Sequence, residues 1–264
     1  MEFSELMRAA QAAPDAVKVP AVWGQGRAAF GGVAAALVYA AMRRAVPSAR
    51  PVRSLAITFV GPLLVDTELS LEVEILRQGK SVSQVLGRAV QNGEVVTLIQ
   101  GSFGAGRESE VSVPSLPAPP MKALQQCIEF PFIENLMPPF ARYLDMRWGE
   151  GQPPGTGYTG RSIGGWVRLR ESQPQALDEA HLLALVDAWP PATLSHLKRR
   201  APNSSVTWTI EFIQPRAPLS SEDWCLYRAE IEHASHGYGH IAAGFWNADG
   251  ELIALSRQTV ALFG

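Results

Sequence analysis

"LAITFVGPLL", residues 55–64, and "TWTIEFIQPRAPL", residues 207–219, read as two copies of one pattern, with Phe59 answering Phe212 and Pro62 answering Pro215. Downstream the agreement returns. "VQNGEVVTLIQGSF", residues 90–103, matches "NADGELIALSRQTV", residues 247–260, through Gly93 with Gly250 and Glu94 with Glu251. An internal duplication sets the architecture and makes each half a control for the other. Upstream of each phenylalanine lies an apolar, helix-like run. The first, "FGGVAAALVYAAMRR", holds no acid; the second, "EAHLLALVDAWPPATL", carries Asp187 within its apolar stretch.

The chain of 264 residues suits two domains of about 110 to 130 residues each. A hydrophobic fraction of 47% with 18% charged residues implies a sizeable core. A net charge of -2 argues against a nucleic-acid partner, because no basic excess faces the phosphates of a duplex. Residues 16–65 lack acids and include Lys18, Arg27, Arg43, Arg44, Arg50 and Arg53, which suits a solvated face or a small phosphorylated ligand. Cys127 and Cys225 have no metal-ligand spacing, so a reducing, intracellular setting is expected. The acidic N-terminus lacks a signal pattern, and the uncharged run 28–42 is too short and glycine-rich to span a bilayer. The expectation is a soluble, cytoplasmic protein without membrane insertion.

Prolines at 114, 117, 119, 120, 131, 138 and 139 mark an extended connector between the copies. The expected organisation is 1–113, a connector 114–132, and 133–264. Each half should begin with a short strand, "AVWGQGRAAF" in the first. A helix follows, over 31–44 and then 177–189, with Gly31 and Gly32 allowing another backbone to approach. Alternating strands come last, joined by turns at Asn92-Gly93 and Asp249-Gly250. One buried helix per run of antiparallel strands is an α+β pattern, a curved sheet around a central helix.

Aligned without gaps, Asp187 falls opposite Ala34, Ser205 opposite Val52 and Gln258 opposite Gly101. A buried acid demands partners, and a hydroxyl and an amide on adjacent strands would supply them. The set suits hydrolysis by an activated water, with Asp187 as base and Ser205 and Gln258 orienting the water. Thr207 and Thr209 compete with Ser205 for the hydroxyl role, and Gln258 has an outward-facing reading. Amides at the helix start would stabilise an oxyanion.

"WGQGRAAFGG", "TFVGPLL" and "AVQNGEVV", then "LVDAWPP", "EFIQP" and "NADGELIALSRQ", together resemble the acyl-CoA thioesterase II type of double-hotdog protein, over nearly the whole chain. The resemblance implies two fused hotdog domains and hydrolysis of acyl-CoA to free acid and CoA. It also implies an Asp, a Thr and a Gln that act without a covalent intermediate. These map to Asp187, Ser205 and Gln258, with Ser205 a departure that loses the methyl group stiffening a threonine rotamer. The expected substrate contacts are Arg27, Gly31, Gly32, Lys198, Arg199 and Arg200, with no cofactor. Open strand edges suggest a homo-oligomer, a dimer first. The alternative is a non-catalytic acyl-CoA or lipid binder of the same fold.

Other chemistries fit less well. His233, His236 and His240 lack the alternation of strand-borne zinc ligands, so no metal is expected. No G-x-S-x-G elbow, Walker lysine or Rossmann pattern occurs. His181 lies six residues before Asp187 and is expected on the exposed side of the helix.

Overall fold

A computed structural model describes residues 1–263. Helix α1 (Phe3–Ala12) opens the chain, with Phe3, Leu6, Met7 and Ala10 buried at helical spacing. The short strands β1 (Val17–Lys18), β2 (Gly24–Gln25) and β3 (Ala28–Ala29) lead into helix α2 (Gly31–Arg44). Strands β4 (Val52–Phe59), β5 (Glu68–Gln78), β6 (Val82–Gln91) and β7 (Glu94–Gly104) complete the first half. The second half runs through β8 (Ile128–Glu129), β9 (Leu144–Glu150), β10 (Ser162–Leu169) and helix α3 (Glu179–Val186). It closes with β11 (Asn203–Phe212), β12 (Cys225–Ser235), β13 (Tyr238–Trp246) and β14 (Leu252–Leu262).

Twelve strands form one sheet in the order β1-β5-β6-β7-β4-β11-β14-β13-β12-β10-β9-β8. Outward from the centre, 4-7-6-5 on one side repeats as 11-14-13-12 on the other. The halves meet where β4 pairs antiparallel with β11, Ile57 opposite Trp208 and Leu55 opposite Ile210. The duplication extends to irregularities: β4 slips register between Val52 and Ser54, and β11 slips at the equivalent step between Ser205 and Thr207. The expected turns form, with Asn92, Gly93 and Gly250 at positive φ.

Helix α2 is buried nearly all round, as its composition requires. Glycines let it settle onto the sheet. A Cβ on Gly87 would lie 2.6 Å from Met42 Cγ, and one on Gly101 would lie 2.7 Å from Met42 Cε. The position matching Gln258 is therefore a glycine because Met42 fills the space above it.

Several expectations are corrected. "AVWGQGRAAF" gives a 3-10 turn (Ala21–Trp23) and the hairpin β2–β3, which forms its own small sheet; β1 pairs with β5 instead. Helix α3 is shorter than 177–189. Asp178 caps its start, accepting from the N–H groups of Ala180 and His181 at 3.0 and 3.2 Å. Pro190 and Pro191 follow within a turn of its end, and proline cannot continue a helix interior. A 3-10 turn (Ala192–His196) takes over. Asp187 is thus the C-cap of α3, whereas Ala34 lies in the first turn of a continuous helix, and the gap-free comparison fails there. The proline-rich segment also contributes β8, paired with β9. His181 is buried, 7% exposed, because α1 packs over it. Among the described residues, no helix is long and apolar enough to cross a membrane.

Candidate active site

On β14, Leu255 and Arg257 face solvent while Ser256 and Val260 are buried, so Gln258 lies on the inner face. Its cross-strand partner there is Trp208. From this row the Gln258 Nε2 donates to Asp187 Oδ1 at 2.7 Å. The first half reaches the same point. A Cβ on Gly31 would lie 2.8 Å from Asp187 Oδ2 and 3.3 Å from the Phe59 ring, and one on Gly32 would lie 2.9 Å from the Ala184 Cα. Helices α2 and α3 therefore touch almost backbone to backbone, and only glycine fits. The N-terminus of α2 points its unsatisfied N–H groups and positive dipole end at the carboxylate.

Asp187 keeps a little exposure as a residue, yet its carboxyl group is closely surrounded. Burial pushes its pKa up from 3.8 to about 7, with the Gln258 amide and the Gly32 backbone N–H holding it from rising further. A carboxylate poised near neutral pH is matched to general-base work. Its charge also adds to the burial that raises the Tyr227 hydroxyl.

The bulge on β11 decides where the hydroxyl candidates point. Trp208 pairs with Gln258 and Ser205 with Val260, while Val206 is the extra residue between two registers. Paired residues share a face, so Ser205 joins Gln258 and Trp208 on the inner side. Thr207 and Thr209 are exposed on the other face. Among the described residues, Ser205 donates no hydrogen bond to Asp187 or Gln258.

The basic candidates are not brought together here. Arg27 is exposed at the tip of the β2–β3 hairpin. Lys198, Arg199 and Arg200 are exposed beyond the 3-10 turn, where Lys198 and Arg200 pack against Gly157 and Gly155 and Arg200 donates to the Leu136 carbonyl. The acid-free stretch 16–65 mostly serves the fold: Arg43, Arg44, Arg50 and Arg53 donate to backbone carbonyls and Lys18 pairs with Glu68. A cleft of about 400 Å³ between the connector (115–117) and the loop after β11 holds none of the candidates. Among the described residues, no three His, Cys, Asp or Glu side chains group as metal ligands.

Some neighbours carried no sequence signal. Phe59 marks the repeat in the sequence, and in the fold it closes over Gly31. Beyond Asp187, Trp148, Trp189 and Tyr227 form a buried aromatic wall, with ring centroids 4.9 and 5.5 Å apart. Elsewhere, Ser4 Oγ lies 3.1 Å from His181 Nε2, whose Nδ1 lies 2.6 Å from Asp178 Oδ1. That order of groups resembles a nucleophilic triad, but Ser4 is 6% exposed, donates to Glu171 at 3.0 Å, and sits beside Phe3, which covers the imidazole. The cluster fastens α1 to the second half.

Comparison with known proteins gives concordant matches. A family model described as the acyl-CoA thioesterase N-terminal domain covers residues 19–104, and the C-terminal domain model of the same family covers 118–262. Acyl-CoA thioesterase 2 of Haemophilus influenzae is 23% identical over 252 residues, covering 88% of this chain and 86% of that protein. Among solved structures, a hot dog fold protein from Alicyclobacillus acidocaldarius superposes with a TM-score of 0.82 at 25% identity, over 94% of this chain and 92% of the other. An acyl-CoA thioesterase II from Mycobacterium marinum gives 0.73 at 19% identity, over 94% and 92%. The fold is accordingly a double hotdog, with α2 and α3 as the two central helices.

Proposed function

Because the chain belongs to the acyl-CoA thioesterase family and is a thioester hydrolase, we propose that it cleaves acyl-CoA with a water held by Asp187, Gln258 and Ser205 at the seam between the halves. The observation that carries this reading is the 2.7 Å bond from Gln258 to Asp187 beside the bare N-terminus of α2. Asp187 takes a proton from the water as its oxygen attacks the thioester carbon. Gln258 fixes the carboxylate, and Ser205 on the neighbouring inner row orients the water. The N–H groups opening α2 donate to the oxyanion that develops on the carbonyl oxygen. The C–S bond then breaks, and the proton held by Asp187 goes to the departing thiolate. The products are the free acid and CoA, with no covalent intermediate and no cofactor.

Gly31 and Gly32 act in this reading through backbone N–H groups and the space they leave. Arg27, Lys198, Arg199 and Arg200 are exposed cations available to the CoA phosphates. The long edge of β5 is covered by β1 only at Leu69 and Glu68, and Ile75 and Leu76 stand exposed along it. An open edge of this kind favours self-association, a dimer in the simplest case.

The test is release of free thiol from a panel of acyl-CoA esters. Asp187→Asn should lower kcat by roughly a hundredfold or more while the fold survives. Undiminished turnover would remove Asp187 from the mechanism. Thermal stabilisation by acyl-CoA with no thiol released by the unaltered protein would favour the non-catalytic binder.

A further inference from the structure

We propose that Trp208 is the residue that limits acyl-chain length, making this a hydrolase of short-chain acyl-CoA; the inference rests on the thioesterase reading of the site. The thioester carbon has to lie beside Asp187 and Gln258. From there the polar CoA arm leads out to solvent and the apolar acyl arm leads in. Toward Ser205 the strands end within a few residues, at the partly exposed segment 201–204, so that way is outward. The way inward passes over the next inner row, where Ala229, Ala243 and Ser256 lie side by side on β12, β13 and β14. These small side chains would make a lane beneath the helices.

Trp208 stands at its entrance. It is the direct cross-strand partner of Gln258, is 0% exposed, and its Nε1 donates to Ser256 Oγ at 2.9 Å. That bond ties the indole toward the small-residue row and holds it there. Comparison of the copies explains why so large a side chain is needed. In the first half, Leu55 and Gly101 are paired at the equivalent rung, and Met42 from the last turn of α2 fills the space above them. Helix α3 stops at Val186, and the 3-10 turn after it packs through Thr193 onto Gly239 of β13 instead. The second half therefore fills the space from the sheet, with an indole at the position of Leu55. One row deeper, Ala254 is flanked by Phe212 and Phe245, so the small-residue lane is short, and a smaller side chain at 208 would add room beside it. An apolar cavity in a protein core stays dry and accepts an apolar guest.

The experiment is a chain-length series of acyl-CoA esters, from acetyl through butanoyl and octanoyl to dodecanoyl, assayed for thiol release by the unaltered protein, Trp208→Ala and Trp208→Phe. The unaltered protein should lose at least roughly tenfold in kcat/KM between butanoyl and dodecanoyl esters. Each methylene newly buried is worth roughly fourfold, so Trp208→Ala should raise the octanoyl-to-butanoyl ratio by roughly tenfold or more. Trp208→Phe, which keeps an aromatic plug, should fall between, and serves if the alanine variant fails to fold. Equal hydrolysis of butanoyl and dodecanoyl esters by the unaltered protein overturns the inference alone. So does a folded Trp208 variant with an unchanged length profile. Silence on every ester overturns the proposed reaction and the inference with it.

Discussion

Asp187 is the residue on which the account turns, and its position has a thermodynamic consequence. Its pKa is raised on folding, from 3.8 to about 7, so the folded protein binds more protons than the unfolded chain between those values. Stability contributed at this site is therefore highest in acid and falls as pH rises through about 7. Asp187→Asn keeps the shape and removes the titration. At pH below about 4 the variant and the unaltered protein should be similarly stable, while near pH 8 the variant should be more stable by up to about 4 kcal/mol. Thermal melts across that range check this; a variant less stable at high pH would show the carboxylate to be a favourable ion. The sequence revealed this acid through its apolar surroundings and its family pattern. Pro190 and Pro191 set the expected end at 189, but that the helix already stops at Val186 with Asp187 as its cap leaves no mark in the apolar run.

At the scale of elements, the bulge in β11 aims Ser205. One extra residue, Val206, lets Ser205 share the inner face with Trp208 although simple alternation would place them on opposite faces. Ser205→Ala, which leaves the bulge in place and removes the hydroxyl from the inner face, should depress turnover at least roughly tenfold, with the sheet retained by circular dichroism. Retained turnover would show that the hydroxyl has no part in the reaction. Ser205→Thr, by contrast, should preserve activity, since the hydroxyl stays and the rotamer stiffens. The strand itself was legible in "SSVTWTIEF"; the bulge was not, because a register slip is fixed by two partner strands and leaves no mark in local alternation. His181 was misplaced for a related reason. Its burial comes from α1, an element far away in sequence whose apolar spacing carried no assignment.

At the scale of the molecule, the proposed site draws on both copies. Asp187, the proposed base, comes from the second half, while Gly31, Gly32 and Phe59 of the first half form the opposite wall. The sheet is continuous through the β4–β11 pairing. Segments 1–113 and 114–264 made separately should therefore show no thiol release alone, and co-refolding should restore it. Activity in the second segment by itself would contradict a seam site. The duplication was readable from Phe59, Phe212, Gly93 and Gly250, and with it the α+β class. The contact of α2 with α3 was foreshadowed only by Gly31 and Gly32, whose tolerance of close approach names no partner.

The most direct test of a base at that seam is the pH dependence of kcat/KM for acyl-CoA hydrolysis. The rate should climb tenfold per pH unit below an inflection near pH 7 and level off above it, the inflection vanishing with the activity in Asp187→Asn. A profile flat from pH 5 to 8, or one whose inflection persists in an active Asp187→Asn enzyme, would contradict the assignment of Asp187 as the base.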